Sequence, residues 1–236
     1  MTVTMVNKAR DRSRERARED YVKGIYHLSG DAPVRAADLA RHLSVSRASV
    51  SKARRVLESA GFVRASHGRV DALRLTPKGL ELAVSMVRRH RLVETFLHRA
   101  LGVPLERVHA DAEKIEHTIS DDIAQRLAEF LGNPSTDPHG HPIPRASSTA
   151  FVSSDARLSE ARAGEHLVVT TLDDRDDRSV KYLSAHGMLP GLRLTVEGTT
   201  AAGVRIRAGR KRVTISRQAA DHVRCVATNA RSASHG

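Results

Sequence analysis

The chain has 236 residues, of which 40% are hydrophobic and only 3% aromatic, and it carries a formal net charge of +12. No apolar run approaches the roughly 18 residues of a membrane span, and a single cysteine, Cys225, excludes both a disulfide framework and a cysteine-rich zinc site. We therefore expect a cytoplasmic chain of one large or two to three small domains. Cys225 is expected to be a buried small apolar residue.

The charge is unevenly distributed along the chain. Residues 1–76 hold 16 Lys and Arg against 8 Asp and Glu, residues 77–145 hold 9 against 10, and residues 146–236 hold 14 against 9. A basic first third indicates a polyanionic partner, whereas the neutral and carboxylate-bearing middle indicates a different task.

The first third has the pattern of a winged helix. Residues 1–18 are polar and basic, and we interpret them as a flexible basic arm or a frayed helix start. A helix over "EDYVKGIYHLS" is followed by two short helices with a tight turn between them, where Ser46 caps the second. The runs "FVRAS" and "DALRLT" then predict a hairpin. We expect residues 19–76 to form a winged helix-turn-helix that binds DNA.

The second helix of this motif is basic and rich in hydroxyl groups, and its expected DNA contacts follow from position. Ser46, Ala48, Ser49 and Lys52 should face the major groove, whereas Arg47, Arg55 and the wing residue Arg69 should reach phosphates. Few of these side chains can make bidentate base contacts, so DNA shape should carry part of the specificity.

The rest of the chain predicts a helical segment and a small β-domain. Pro77 starts a long helix, Pro104 and Ser120 start two more, and a Pro-rich stretch closes a segment over residues 77–145. After a linker over residues 146–154, short β-branched runs separated by glycines predict an SH3-like β-barrel over residues 155–228 with one short helix. Residues 229–236 should be a disordered tail. The fold class is therefore mainly α with a small β part.

The stretch "VHADAEKIEH" places two imidazoles and two carboxylates at helical spacing. At 3.6 residues per turn, His109, Glu113, Glu116 and His117 share one face. Such a face is unsuited to a core, and it is either a solvated surface with charge pairs or a cation site.

The combination of "EDYVKGIYHLS", "RRHRLVETFL", "VHADAEKIEH" and "PHGHPIP" resembles the diphtheria toxin repressor family of metal-dependent transcriptional regulators. The resemblance covers about residues 18–145 closely and the C-terminal β-domain more loosely. It implies a homodimer whose residues 77–145 bind metal and dimerise, and about two metal ions per subunit.

The resemblance also implies the ligands. The primary site would use Asp20, Glu113, Glu116 and His117. Iron-responsive members have Met and Cys at the positions of Asp20 and Glu113, so this chain is similar to the manganese-responsive members, and its hard oxygen ligands suit Mn²⁺ or Fe²⁺. The ancillary site would use His90, Glu94, His109 and, from the loop "LDDRDDRS", Asp176. Three further histidines are interpreted as turn or linker residues and not as ligands: His67, His139 and His141.

The predicted function is a metal-activated regulator, a repressor of metal-uptake genes that binds a palindromic operator as a dimer and is not an enzyme. Alternatives are an iron-dependent regulator of the same family, a metal-independent winged-helix regulator, a metal store, and a metalloenzyme that uses the His/Glu cluster. The chain lacks an HExxH motif, which disfavours the enzyme.

Overall fold

The computed structural model describes residues 2–29, 32–66, 69–145 and 155–228, and it describes side chains in these ranges except at 2–7, 9 and 65–71. The predicted linker 146–154, the predicted tail 229–236 and the predicted turn residue His67 lie outside the described residues. The chain divides into two compact units. The first unit comprises residues 1–90, 116–124 and 144–152, and the second comprises residues 91–115, 125–143 and 153–236.

The first unit begins with one long helix, α1, over Thr2–Leu28. Residues 2–18, which the sequence indicates as a flexible basic arm or a frayed helix start, are part of this helix from Thr2 onward. Arg, Ala and Glu are good helix formers, and Glu15 pairs with Arg18 one turn later at 3.2 Å. Val22 and Ile25 are fully buried, so tertiary packing holds the last third of the helix.

A winged helix follows α1, as the sequence predicts. Its elements are β1 (Val34–Arg35), α2 (Ala36–His42), α3 (Arg47–Ser59), β2 (Val63–Ser66) and β3 (Arg69–Leu75). The strands form an antiparallel sheet in the order β1-β3-β2. Leu39, Val50, Leu57 and Leu73 pack with the buried residues of α1 in one aliphatic core.

Three helices cover the middle of the chain: α4 (Pro77–Arg99), α5 (Leu105–Ile115) and α6 (Asp121–Phe130). Pro77 occupies the first position of α4, and the Thr76 hydroxyl accepts a hydrogen bond from the Gly79 amide at 3.1 Å. A short 3₁₀ helix, Glu116–Thr118, follows α5 directly. The α-helical face predicted to run from His109 to His117 therefore ends at Ile115.

The second unit contains a six-stranded antiparallel sheet in the order β4-β9-β5-β6-β7-β8. Its strands are β4 (Ala156–Arg157), β5 (His166–Leu172), β6 (Arg193–Thr200), β7 (Gly203–Ala208), β8 (Lys211–Ile215) and β9 (Val223–Ala227). The predicted short helix is α7 (Asp177–Ala185), and a second one, α8 (Arg217–Asp221), was not predicted. Cys225 is buried in β9, as expected, and burial raises the pKa of its thiol to about 12.

Among the described residues, no helix combines the length and the apolar character that crossing a membrane requires.

Candidate functional site

The N-terminal half of α3 presents a polar surface. Ser46 caps the helix by accepting a hydrogen bond from the Ser49 amide at 3.0 Å, and Val50 and Leu57 are buried beneath it. The predicted contact residues of this helix are all exposed: Ser46, Arg47, Ala48, Ser49, Lys52 and Arg55. Arg69 begins β3, but its side chain is outside what the structure describes. The arrangement leaves the basic, hydroxyl-rich face of α3 available to a duplex.

A first cluster of possible metal ligands consists of Asp20, Glu116 and His117, all in the first unit. One ligand atom of each lies within 4.8 Å of the others. His117 Nε2 is 3.0 Å from Asp20 Oδ1 and 3.5 Å from Glu116 Oε1. The 3₁₀ turn after α5 supplies the last two residues, and α1 supplies Asp20, so the cluster joins two segments far apart in sequence.

Positive charge already compensates the carboxylates of the first cluster. Glu116 is fully buried, and its Oε1 accepts a hydrogen bond from Lys23 Nζ at 2.5 Å while its Oε2 pairs with His90 Nδ1. Burial lowers the pKa of His117, but hydrogen bonds to Asp20 and Glu19 outweigh it and raise the pKa to about 9. A cation that binds Nε2 has to replace the proton that this ring carries at neutral pH.

Glu19 connects the first cluster to the middle helices. Its Oε2 accepts a hydrogen bond from His117 Nδ1 at 2.8 Å, and its Oε1 lies 3.9 Å from Arg89 Nη1 on α4. Arg89 Nη2 in turn lies 3.0 Å from Asp121 Oδ1 at the start of α6. A carboxylate that holds the distal nitrogen of an imidazole fixes the ring orientation, as is common behind metal-ligating histidines.

A second cluster lies in the second unit. Its members are Glu94, His109, Asp137, His139, His141 and Asp174. His109 Nδ1 is 3.2 Å from Glu94 Oε1 and 3.4 Å from Asp174 Oδ2. One ligand atom each of Glu94, Asp137 and His139 also lies within 4.8 Å of the others. The loop that follows β5 thus meets α4, α5 and the Pro-rich stretch.

The second cluster is strongly coupled electrostatically. Burial lowers the pKa of His109, but hydrogen bonds to Asp174 and Glu94 raise it to about 11. Burial also lowers the pKa of His141, but the charges of Asp174 and Asp137 raise it to about 9. Burial favours neutral Asp174, yet His141 and His109 hold its pKa well below the usual range. Protonated imidazoles therefore balance the buried carboxylates in the metal-free protein.

Two buried atoms of the second cluster fit a cation. Among the described residues, Asp137 Oδ2 and His139 Nδ1 make no hydrogen bond of good geometry. His139 Nε2 donates to the Leu105 carbonyl at 3.1 Å, so a neutral ring presents a lone pair at Nδ1. Carboxylate oxygens beside imidazole nitrogens form a donor set for Mn²⁺, Fe²⁺ or a similar divalent ion.

The predicted ligands divide between the two units. Helix α5 ends at Ile115, and His109 lies in the second cluster while His117 lies in the first, in line with their assignment to different sites. Glu113 lies in the second unit, with its Oε1 4.0 Å from His109 Nε2. His90 lies in the first unit, where its Nδ1 pairs with Glu116, and its assignment to the ancillary site stays a prediction.

Asp174, and not the predicted Asp176, lies beside His109 in the structure. Asp176 instead caps α7, accepting hydrogen bonds from the Arg178 amide and the Ser179 hydroxyl. His139 and His141, interpreted as turn or linker residues and not as ligands, lie in a turn-rich segment, and both rings face Asp174 in the second cluster. Only the "PHGHPIP" stretch, with two histidines between prolines, signalled them in the sequence.

Three parts of the chain match family profiles in the order that the fold predicts. The profile described as "Iron dependent repressor, N-terminal DNA binding domain" matches residues 15–69. "Iron dependent repressor, metal binding and dimerisation domain" matches residues 76–145, and "FeoA domain" matches residues 156–227. This assignment agrees with the SH3-like fold predicted for the C-terminal β-domain.

Curated relatives include both iron-dependent and toxin repressors. The iron-dependent repressor IdeR of Mycobacterium tuberculosis is 36% identical over 221 residues, which cover 87% of this chain and 95% of that protein. The diphtheria toxin repressor of Corynebacterium diphtheriae is 35% identical over 146 residues, covering 61% of this chain and 63% of its own length.

Among solved structures, a manganese-dependent transcriptional repressor in complex with manganese superposes with a TM-score of 0.79 at 33% identity, covering 89% of this chain and all of its own. Profiles, relatives and structures agree on one assignment. The chain belongs to the diphtheria toxin repressor family of metal-dependent transcriptional repressors.

Proposed function

We propose that this protein is a manganese-activated transcriptional repressor that binds a palindromic operator as a homodimer and represses metal-uptake genes. A DNA-binding regulator acts where the chromosome lies, so we place it in the cytoplasm. The observation that supports the proposal best is the meeting of Asp20 with Glu116 and His117. It ties the helix that leads into the winged helix to the segment between α5 and α6.

Asp20, Glu116 and His117 are the ligands that we propose for the activating ion. A divalent cation supplies two positive charges where three carboxylates, including Glu19, approach one imidazole. Lys23, Arg89 and the His117 proton otherwise supply the positive charge, and an ion that binds His117 takes the place of that proton. A bound ion therefore favours the arrangement in which α1 contacts the 3₁₀ turn, by an amount equal to its differential affinity for that arrangement.

The second cluster is our candidate for a second ion per subunit. Glu94, His109 and Asp174 supply donors on one side and Asp137 and His139 on the other. Asp174 thus takes the role first predicted for Asp176. Because most of these groups are buried and already paired, we assign this centre a structural role rather than the switching role.

Ligand chemistry favours manganese over iron as the physiological activator. Asp20 offers a hard carboxylate oxygen, and the resemblance places a soft sulfur at its position in iron-responsive members. The relatives do not decide the metal, since they include iron-dependent and manganese-dependent repressors. The proposal admits Fe²⁺ as a weaker activator.

The dimer and the DNA complex follow from exposed surfaces. Helix α6 leaves Ile123 44% and Phe130 71% exposed, which is typical of a helix that packs against a second copy. Two α3 helices related by a twofold axis would read half-sites about one helical turn apart, ~34 Å, or a multiple of it. The family consists of DNA-binding transcriptional repressors, so the metalloenzyme alternative is set aside.

The test compares operator affinity with manganese and with chelator. Duplexes that the full chain selects from a random library in the presence of Mn²⁺ serve as the operator. We expect at least tenfold tighter binding with Mn²⁺, as a coupling of about 1–3 kcal/mol implies. Asp20→Asn should abolish that difference, whereas the matched control Asp11→Asn, at an exposed position of the same helix, should retain it. Equal affinity of the wild type under both conditions would refute the proposal.

A further inference from the structure

The β7–β8 hairpin, residues 203–215, carries a concentration of positive charge that the proposed function does not use. Five of its side chains are basic and exposed: Arg205, Arg207, Arg210, Lys211 and Arg212. Val204, Ile206 and Ile215 are buried on the opposite face, so the hairpin is anchored in the core while its outer face is charged. We call this surface the basic hairpin.

The basic hairpin places two arginines directly opposite each other, which a surface that only faces water does not require. Arg207 and Arg212 are direct cross-strand partners, and like charges in that position destabilise a sheet. One carboxylate, Glu197 on β6, serves both of them, at 3.4 Å from Arg207 Nε and 3.0 Å from Arg212 Nε. Both contacts use Nε, and each guanidinium carries two further amino groups that can donate to an anion.

The spacing of the side chains fits a nucleic-acid backbone. Residues two apart on a strand, such as Arg205 and Arg207, repeat at about 6.8 Å on one face. Two phosphate steps of one DNA strand advance by about 6.8 Å along the helix axis. Arg205 is the cross-strand partner of Gly198, and its Nη2 lies 3.3 Å from where a Cβ of that glycine would be.

We infer that the basic hairpin is a second DNA-contacting surface, which binds the phosphate backbone without reading sequence. DNA is the polyanion that the winged helix of the same chain implies as its partner. Once the winged helix is bound, the basic hairpin is held at high effective concentration near the same DNA, so even a weak contact adds to the affinity. The inference rests on the proposed function. The competing explanation is edge protection, because β8 is the last strand of the sheet and basic side chains on an edge discourage pairing with other chains.

The experiment measures the salt dependence of binding to a random 40-base-pair duplex, with the full chain and Mn²⁺. The variant is Arg205→Gln/Arg207→Gln/Arg212→Gln. Its matched control, Arg162→Gln/Lys181→Gln/Arg217→Gln, removes the same charge from exposed positions of the same unit. Each phosphate contact contributes about 0.9 to the magnitude of the slope of log K against log salt concentration. We therefore expect this magnitude to fall by about 2 to 3 in the hairpin variant and by less than about 1 in the control.

Equal slopes for the two variants would overturn the inference. The inference would also fail if the hairpin variant self-associates in sedimentation experiments while its salt slope is unchanged. That result is expected if the basic side chains only protect the edge of the sheet. A loss of binding to phosphatidylserine vesicles with an unchanged DNA slope would also overturn it, in favour of a membrane. If the operator affinity of the wild type does not depend on manganese, the proposed function is refuted. The difference in salt slope between the two variants would still hold, because the random duplex contains no operator.

Discussion

The two clusters of carboxylates and imidazoles use similar side chains in opposite ways. In the first, Asp20 is 37% exposed and the partners come from α1 and from the turn after α5. In the second, Glu94 and His139 are fully buried and the partners come from α4, α5, the Pro-rich stretch and the loop after β5. The first is open to exchange with solvent, whereas the second is part of the interior of its unit.

The clusters also differ in the groups that balance their carboxylates. The first uses a lysine and an arginine, Lys23 and Arg89, in addition to the protonated His117. The second uses histidines, whose raised pKa values keep them protonated. Because histidines can release their protons to accommodate an ion, while lysine and arginine remain charged, the two centres should respond differently to substitution.

The largest expected effect is on folding stability through the second cluster. Asp174→Asn removes the carboxylate that faces both His109 and His141, and it leaves less negative charge beside these two protonated rings in the interior. We expect the free energy of unfolding to fall by about 3 kcal/mol in urea titrations with chelator present. Asp176→Asn is the matched control, since asparagine caps helices as well as aspartate and the change should stay within about 0.5 kcal/mol. Equal losses for both variants would contradict the assignment of Asp174.

The next effect concerns metal affinity at the first cluster. Glu19→Gln keeps the shape of the side chain behind His117 but removes its charge, so the ring is a weaker and less well oriented ligand. We expect Mn²⁺ to bind about 10- to 100-fold more weakly by calorimetry, with a shifted visible spectrum of the Co²⁺ form. Glu15→Gln, on the same helix and exposed, should bind Mn²⁺ as the wild type does. Unchanged affinity in Glu19→Gln would remove its positioning role.

The smallest effect has the opposite sign. Lys23→Met removes an ammonium group 2.5 Å from a proposed ligand oxygen of Glu116. Manganese should then bind roughly tenfold more tightly, because a neighbouring positive charge no longer opposes the ion. Unfolding with chelator should require less denaturant, since Glu116 loses its partner. Lys8→Met, at an exposed position of α1, should change neither quantity. A weaker affinity would mean that Lys23 mainly shapes the site.

The winged helix was predictable because its signals are local. The Ser46 cap and the aliphatic stripe of α3 each depend on a few neighbouring residues. The sequence also identified Asp20, Glu116 and His117, which the structure brings together, although the resemblance rather than the spacing supplied Asp20.

The second cluster was less predictable because its composition depends on tertiary contacts. Asp174 and Asp176 are two residues apart in one acidic loop, and only the cap of α7 decides which carboxylate turns inward. His139 and His141 lie in a Pro-rich stretch whose pattern indicates a connection. Its burial against β5 appears in the fold, where the Leu172 amide donates to the His139 carbonyl at 2.9 Å.

The continuity of α1 has a mechanical consequence. At about 1.5 Å per residue, the 27 residues of this helix form a rod about 40 Å long. Asp20 lies 18 positions after Thr2, so a tilt of about 5° at the ion would sweep the beginning of the rod through about 2 Å. An ion bound at the proposed first site would therefore displace the segment of α1 from Arg10 to Arg18 toward or away from a duplex.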